Sequence, residues 1–295
     1  MGQKIVLSES FTDLTLPVLY DDAMQTAGTL MLIDFGHSNG AFTGVPTNGA
    51  LLPNVAWKTA NALVAGAPGQ SALSASFLTN TVSGDVNTPI KERTPKKGLN
   101  IIYSQTTDVS QANNKIQMPA AIFNYLVANL SHSYYHSIWH RVTRAGIAGA
   151  PTGGISNIGI NTGNTLMAMQ YSANSIGAGM VPSGGSGVSL GQAATPGYNT
   201  VSNQILQQAV SGITGSLTGW TNAQCLAYLW GSGGPFNQTH IAHSGMLYRY
   251  VLEDLTVSGR TYAQAKAADD ALWTAAFASG GKFFGDTYTD VTGYP

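Results

Sequence analysis

Two acids stand side by side, Glu253 and Asp254, inside the apolar run GMLYRYVLEDLTVSG. Paired carboxylates are what glycoside hydrolysis requires, set about 5 to 9.5 Å apart across one cleft. The residues around this pair read as a strand from Leu247 to Val257, and neighbours on a strand point to opposite faces. No other acid lies within two residues of Glu253 on its own face. The spacing therefore argues against a catalytic pair, and no catalytic residue is assigned. One carboxylate is expected to meet a cation, with Arg141, Arg144 and Arg249 as candidates. The other is expected to face solvent or a loop amide.

His132, His136 and His140 are spaced four apart, which on a helix would align them as metal ligands. Their neighbours Tyr134, Tyr135, Ile138, Trp139 and Val142 favour a strand instead. There, residues four apart are about 13 Å from each other, too far to share an ion. No metal site is assigned. His240 and His243 read as loop residues. The HSG (243–245) and GGSG (184–187) segments lack the strand–elbow–helix setting of a hydrolase serine. No glycine-rich segment ends in Gly-Lys-Ser/Thr, so a phosphate loop is absent. Calcium takes six to eight oxygen ligands. Asp34, Asp85 and Asp108 are the available acids, and none sits in a recognisable calcium motif, so no cofactor is assigned and calcium stays open. Trp57, Trp220 and Trp230 lie in or beside glycine-rich segments and are the candidates for stacking on a sugar ring. Trp139 and Trp273 read as core residues.

Charged residues make up 9% of the chain, against ~25% in ordinary soluble domains. The formal net charge is −1, and Lys96-Lys97 is the only adjacent basic pair. Phosphate neutralisation needs several cations together, so nucleic acid is excluded as a partner. Cys225 is alone, which excludes an internal disulfide. No run approaches the ~20 apolar residues of a membrane helix. The N-terminus meets Ser8, Glu9 and Ser10 before a long apolar stretch forms, so it does not read as a signal peptide. The expectation is a chain made in the cytoplasm that stays there, or leaves it by lysis or as part of a particle.

The elements that must position these residues are mostly strands. Short apolar or aromatic runs at 28–36, 98–105, 114–119 and 133–144 read as strands. The segments ISNIGI and LMAMQYSA flank NTGNT (161–165) as a hairpin, and CLAYL begins another strand. AAIFNYLVANL (120–130) has helical spacing, and NQILQQAV is assigned a short helix within a loop insertion (174–219). The clearest helix starts at the capping box Thr261 to Gln264. It runs with Tyr262, Ala265, Ala268, Leu272, Trp273, Ala276 and Phe277 on one face, and ends at Gly280-Gly281 as a glycine C-cap.

The order of these pieces resembles the concanavalin A-like, or laminin G-like, jelly-roll family. LMLIDF (30–35) matches an early strand of that family. KGLNIIYSQ with NKIQMP, IFNYLVANL with SIWHRVTR, CLAYLWGSGGPFN, and LYRYVLEDLTVSGRTYAQ follow in the family's order. Gln264 stands where the family often has an acid. The likeness covers roughly residues 28 to 279, with a poor match over 174–219. It implies an all-β antiparallel β-sandwich jelly roll with a short C-terminal helix. An N-terminal arm (1–27) would precede the sandwich (28–281), and a C-terminal tail (282–295) would follow it. The arm, the low charge and the GRTYAQ…DDALWTAAFASGGKFFGDTYTD ending are also similar to structural proteins of tailed bacteriophages. That resemblance implies a non-enzymatic virion protein, tail- or fibre-associated, located in the virion. It would form homo-oligomers, contact other virion subunits through arm and tail, and have host surface glycans as candidate ligands. Capsid decoration is the alternative within that class. A glycan-degrading enzyme or a free carbohydrate-binding module is the alternative outside it.

Overall fold

The structure is a computed structural model. It describes residues 22–38, 41–80, 90–103, 105, 113–146, 153–161, 164–171, 176–177, 188–193, 200–213, 225–229, 243–292 and 294. The first strands are β1 (Thr29–Asp34), β2 (Leu51–Leu52), β3 (Ala75–Asn80), β4 (Ile90–Arg93) and β5 (Leu99–Ile102). They are followed by β6 (Asn113–Gln117), β7 (Tyr134–Arg144), β8 (Gly153–Asn161), β9 (Asn164–Tyr171) and β10 (Ile176–Gly177). The last are β11 (Val188–Ala193), β12 (Asn203–Ser211), β13 (Cys225–Leu229) and β14 (Ser244–Asp254). Four short helices join them: α1 (Trp57–Leu63), α2 (Ala120–Ala128), α3 (Leu255–Ser258) and α4 (Tyr262–Phe277).

The described chain is thus mostly β. A seven-stranded sheet has the order β11-β12-β7-β14-β5-β4, with β1 also on β14. A second sheet runs β13-β6-β3-β2, and a three-stranded one β10-β9-β8. Every pairing is antiparallel. β14 lies at the centre with all 11 residues buried. β7 flanks it on one side, and β5 and then β1 on the other.

The inner face of the main sheet carries Ile33, Ile138, Leu206, Tyr250 and Leu252 against Phe77, Ile116 and the α2 residues Ile122 and Leu126. The outer face is covered by α4, through Ala265 on Tyr135 and Val251 and Ala276 on Trp139 and Tyr248. The expected apolar stripe of α4 is therefore the face that docks. Its capping box is formed: the Gln264 amide donates to Thr261 Oγ1 at 3.3 Å, and Thr261 N–H donates to Gln264 Oε1 at 2.9 Å.

Several expectations change. NQILQQAV is not helical but forms β12, paired with β7 along its length. Its alternation places Leu206, Gln208 and Val210 inward and Gln207 and Ala209 outward. Two adjacent glutamines blurred a period of two into something close to a helical one. The last strand ends at Asp254 rather than Val257, because Asp254 caps α3: its Oδ1 accepts from Val257 N–H at 3.1 Å. Helix α4 is capped by Ala278, not by glycine. Gly280, at φ +79, instead turns the chain back so that Phe283 N–H reaches the Ala276 carbonyl at 2.8 Å. Residues 22–27 belong to the fold, with Met24 fully buried. The segment from Lys282 to Tyr294 lies on its own sheet: Phe283 and Asp286 are buried, and Arg144 donates to the Tyr294 carbonyl at 2.8 Å. Residues 1–21 lie outside the described residues, as does most of the 174–219 insertion.

Candidate functional site

The buried charges gather on the outer face of the main sheet. Asp34, Arg249 and Trp139 face one another across β1, β14 and β7, each in register with the next. The register of β14 on β7 shifts between Leu247 and Arg249. This bulge lets Tyr248 and Arg249 both point outward. Arg249 is 1% exposed. It donates to both oxygens of Asp22, at 2.6 and 2.7 Å, and to Asp34 at 2.9 Å. Its guanidinium lies 4.7 Å from the Trp139 ring centroid. Lys282 Nζ closes the cluster at 2.6 Å from Asp34. Burial by itself pushes the Asp22 pKa up, but the Arg249 hydrogen bonds and charge outweigh it and hold the carboxyl below its usual range.

Asp269 of α4 seals the neighbouring part of this face. Its carboxylate accepts from Tyr135 OH at 2.7 Å and Trp139 Nε1 at 2.9 Å, and it is wholly buried. Burial raises its pKa, and the Arg249 charge opposes that rise. The sequence reading missed Asp269 as a buried group. Its position, four after Ala265 and three before Leu272, was the available signal, because it falls on the docking stripe.

Glu253 and Asp254 point to opposite sides of β14, as strand geometry requires. Glu253 accepts from Thr26 Oγ1 at 2.9 Å and lies 3.6 Å from Arg260. Burial pushes its pKa up, against the opposing hydrogen bond from Ser258 and charge of Arg260. Asp254 faces α2, accepting from Tyr125 OH at 2.8 Å and lying 2.6 Å from His132 Nδ1. The cation expected for this pair is therefore Arg260, not Arg141, Arg144 or Arg249, and neither carboxylate faces solvent. Asp254→Ala is expected to lower stability by about 2–4 kcal/mol, through a lost helix cap and two orphaned donors. Glu253→Gln is expected to stay within about 0.5 kcal/mol of the parent, since it removes a buried charge that is held loosely. Urea unfolding of both variants checks this contrast, which a catalytic pair would not produce.

Of the sugar-stacking candidates, Trp57 opens α1 and packs half-buried against the main core, with Lys58 Nζ 5.9 Å from its ring. It is placed there by Asn54, whose side chain bonds Leu32 N–H and the Leu30 carbonyl along the edge of β1. Trp220 and Trp230 lie outside the described residues. Among the calcium candidates, Asp34 is committed to two cations and to Gly36 N–H. Asp85 and Asp108 lie outside the described residues. Among the described residues no group of three or more His, Cys, Asp or Glu is placed to hold a metal ion, and no helix is long and apolar enough to cross a membrane. A cavity of about 360 Å³ opens beside the charge cluster, lined in part by Asp22, His37, Ser38, Leu272 and Lys282. Asp22 and Lys282 already bond inward, to Arg249 and Asp34.

No family model matches the sequence, and no curated protein does. Among solved structures, the chain overlaps Trypanosoma rangeli sialidase in complex with 2,3-difluorosialic acid, a covalent intermediate, at 10% identity and a TM-score of 0.32. That overlap covers 82% of this chain and 32% of the sialidase. A second structure of that sialidase, in complex with sialic acid, overlaps at 12% identity and a TM-score of 0.31, covering 85% of this chain and 34% of the sialidase. The chain spans about a third of the length of these proteins. Overlap at this level assigns neither topology nor substrate.

Proposed function

We propose that this chain is a non-enzymatic structural subunit of a bacteriophage particle, tail- or fibre-associated, on a laminin G-like antiparallel sandwich. The phage assignment rests on the sequence resemblance of its arm, its low charge and its ending. The observation that carries the structural role is the Asp22–Arg249–Asp34–Lys282 cluster. It fixes the root of residues 1–21 and the start of the C-terminal segment to one point on the central strand. A segment that leaves a rigid anchor can bind a neighbouring subunit without straining its own domain, a common way of linking symmetric copies. The C-terminal segment is largely occupied by its own sheet, so residues 1–21 carry the inter-subunit contact in this reading. The described carboxylates support the same reading, because each named above serves as an internal strut or cap. Host-glycan recognition in this reading falls to the stacking candidates Trp57, Trp220 and Trp230.

Quantitative mass spectrometry of gradient-purified particles tests the reading. The expected result is the chain in many copies per particle, and no release of sugars from host glycans by the isolated protein. Absence from the particles, together with glycan cleavage, would favour the enzyme alternative.

A further inference from the structure

The cavity beside the charge cluster has no part in the proposed function. Its volume of about 360 Å³ lies near the lower end of the ~300–1,000 Å³ usual for small-molecule sites. Local sequence explains how its walls come together. After β1 the chain turns tightly, with Gly36 N–H donating to Asp34 Oδ1 at 2.9 Å and His37 N–H to the Asp34 carbonyl at 3.3 Å. That turn sets His37 and Ser38 on the lining. Position 36 requires glycine, since a Cβ there would stand 2.6 Å from the Phe283 ring. The close approach of Phe283 carries its neighbour Lys282 to the cavity wall, 2.6 Å from Asp34. Helix α4 supplies the apolar side through Leu272, Ala275 and Ala276, which share one helix face at spacings of three and four.

We propose that this cavity is a binding site for a small neutral polyol, about the size of one sugar ring. The inference rests on the cavity alone and stands whether or not the chain is a particle subunit. What carries it is a carboxylate and an ammonium, Asp22 and Lys282, on one lining. A carboxylate offers about four acceptor sites and an ammonium three donors. Three of the Asp22 sites are taken, two by Arg249 and one by Met24 N–H. One Lys282 donor is taken, by Asp34. An acceptor and two donors remain on residues that line the cavity. Adjacent hydroxyls, each able to donate and accept, complement such a pair.

Electrostatics selects a neutral ligand over a charged one. Asp22 and Lys282 each already face a counter-ion at 2.6 Å, Arg249 and Asp34 respectively. A charged ligand would therefore gain little attraction to offset the cost of its own desolvation. An anion drawn to Lys282 would also meet Asp22, and a cation drawn to Asp22 would meet Lys282. A zwitterion escapes that conflict but carries the desolvation cost twice. The hydroxyls of a polyol carry no such cost, and the C–H face of its ring has Leu272 and Ala275 to lie against.

The test is saturation-transfer difference NMR of the full chain, a method suited to the Kd of about a millimolar expected for so small a ligand. The neutral probes are D-glucose, D-galactose and glycerol. D-glucuronate is the anionic probe and L-alanine the zwitterionic one. Transfer is expected to at least one neutral probe, and less or none to glucuronate and alanine. A275W, which fills the mouth from an exposed helix position, is expected to abolish the transfer while keeping the melting temperature. Backbone amide shifts of the wild-type chain give a second readout that needs no variant, with changes expected at residues 36–38 and 272–276. No transfer to any neutral probe overturns the proposal. Stronger transfer to glucuronate or alanine, transfer that A275W leaves intact, or shifts confined to other residues does so equally.

Discussion

Arg249→Met is expected to cost about 3–5 kcal/mol of folding stability, the range for removing one partner of a buried ion pair. The loss arises less from the missing attraction than from what remains. Asp22 and Asp34 would face each other with Lys282, 35% exposed, as the remaining cation. At about 2–4 °C per kcal/mol for a domain of this size, the melting temperature should fall by roughly 10 °C. Arg249→Lys should restore little, because one ammonium cannot donate in parallel to both Asp22 oxygens and also reach Asp34. Removing the charges together, as D22N/D34N/R249M, should recover part of the loss, since no bare charge is left buried. Thermal unfolding followed by circular dichroism measures all of these. A melting point for R249M within about a degree of the parent would remove the cluster from the account, as a loss below 1 kcal/mol is what exposed pairs give.

Asp269→Ala carries the second large effect, about 3 kcal/mol, because Tyr135 OH and Trp139 Nε1 would lose their acceptor in a dry interface. Asp269→Asn should cost less, as one amide oxygen can still accept, and its pH dependence should differ in a set direction. The Asp269 pKa is raised above the ordinary carboxyl value of 3.8. The folded state therefore holds a proton that the unfolded state has released, and this carboxyl lowers stability as pH rises through that window. The Asn variant lacks this contribution. Its stability relative to the parent should improve as pH rises from the carboxyl range toward neutrality. A constant difference between the two across pH would contradict the burial of an ionisable Asp269.

How much of this was readable in the chain depends on whether the signal was local. Aromatic and β-branched density gave β7, and the Thr261–Gln264 box gave the start of α4, because propensity and capping act over a few residues. Strand alternation was enough to separate Glu253 from Asp254. What failed was long-range. β12 is a strand because it pairs with β7 over its whole length, a contact that its own glutamine-rich sequence does not announce. Asp22 read as part of an arm because its partner stands 227 residues away. Arg249 was noticed only as a generic cation, since nothing in LYRYV reveals that it is buried between two acids. The C-terminal segment read as a tail for the same reason. Its anchors, Thr94 and Arg144, are distant in sequence.

The central claim is that residues 1–21 leave a rigid, self-sufficient domain to hold it in a particle. Deleting residues 1–21, and not residues 22–27, which the Arg249 cluster requires, tests it most directly. The amount of the truncated chain in gradient-purified particles is measured by mass spectrometry, beside the melting temperature of the isolated protein. The account expects an unchanged melting temperature and loss of the chain from particles. Truncated protein incorporated at the wild-type level would contradict it.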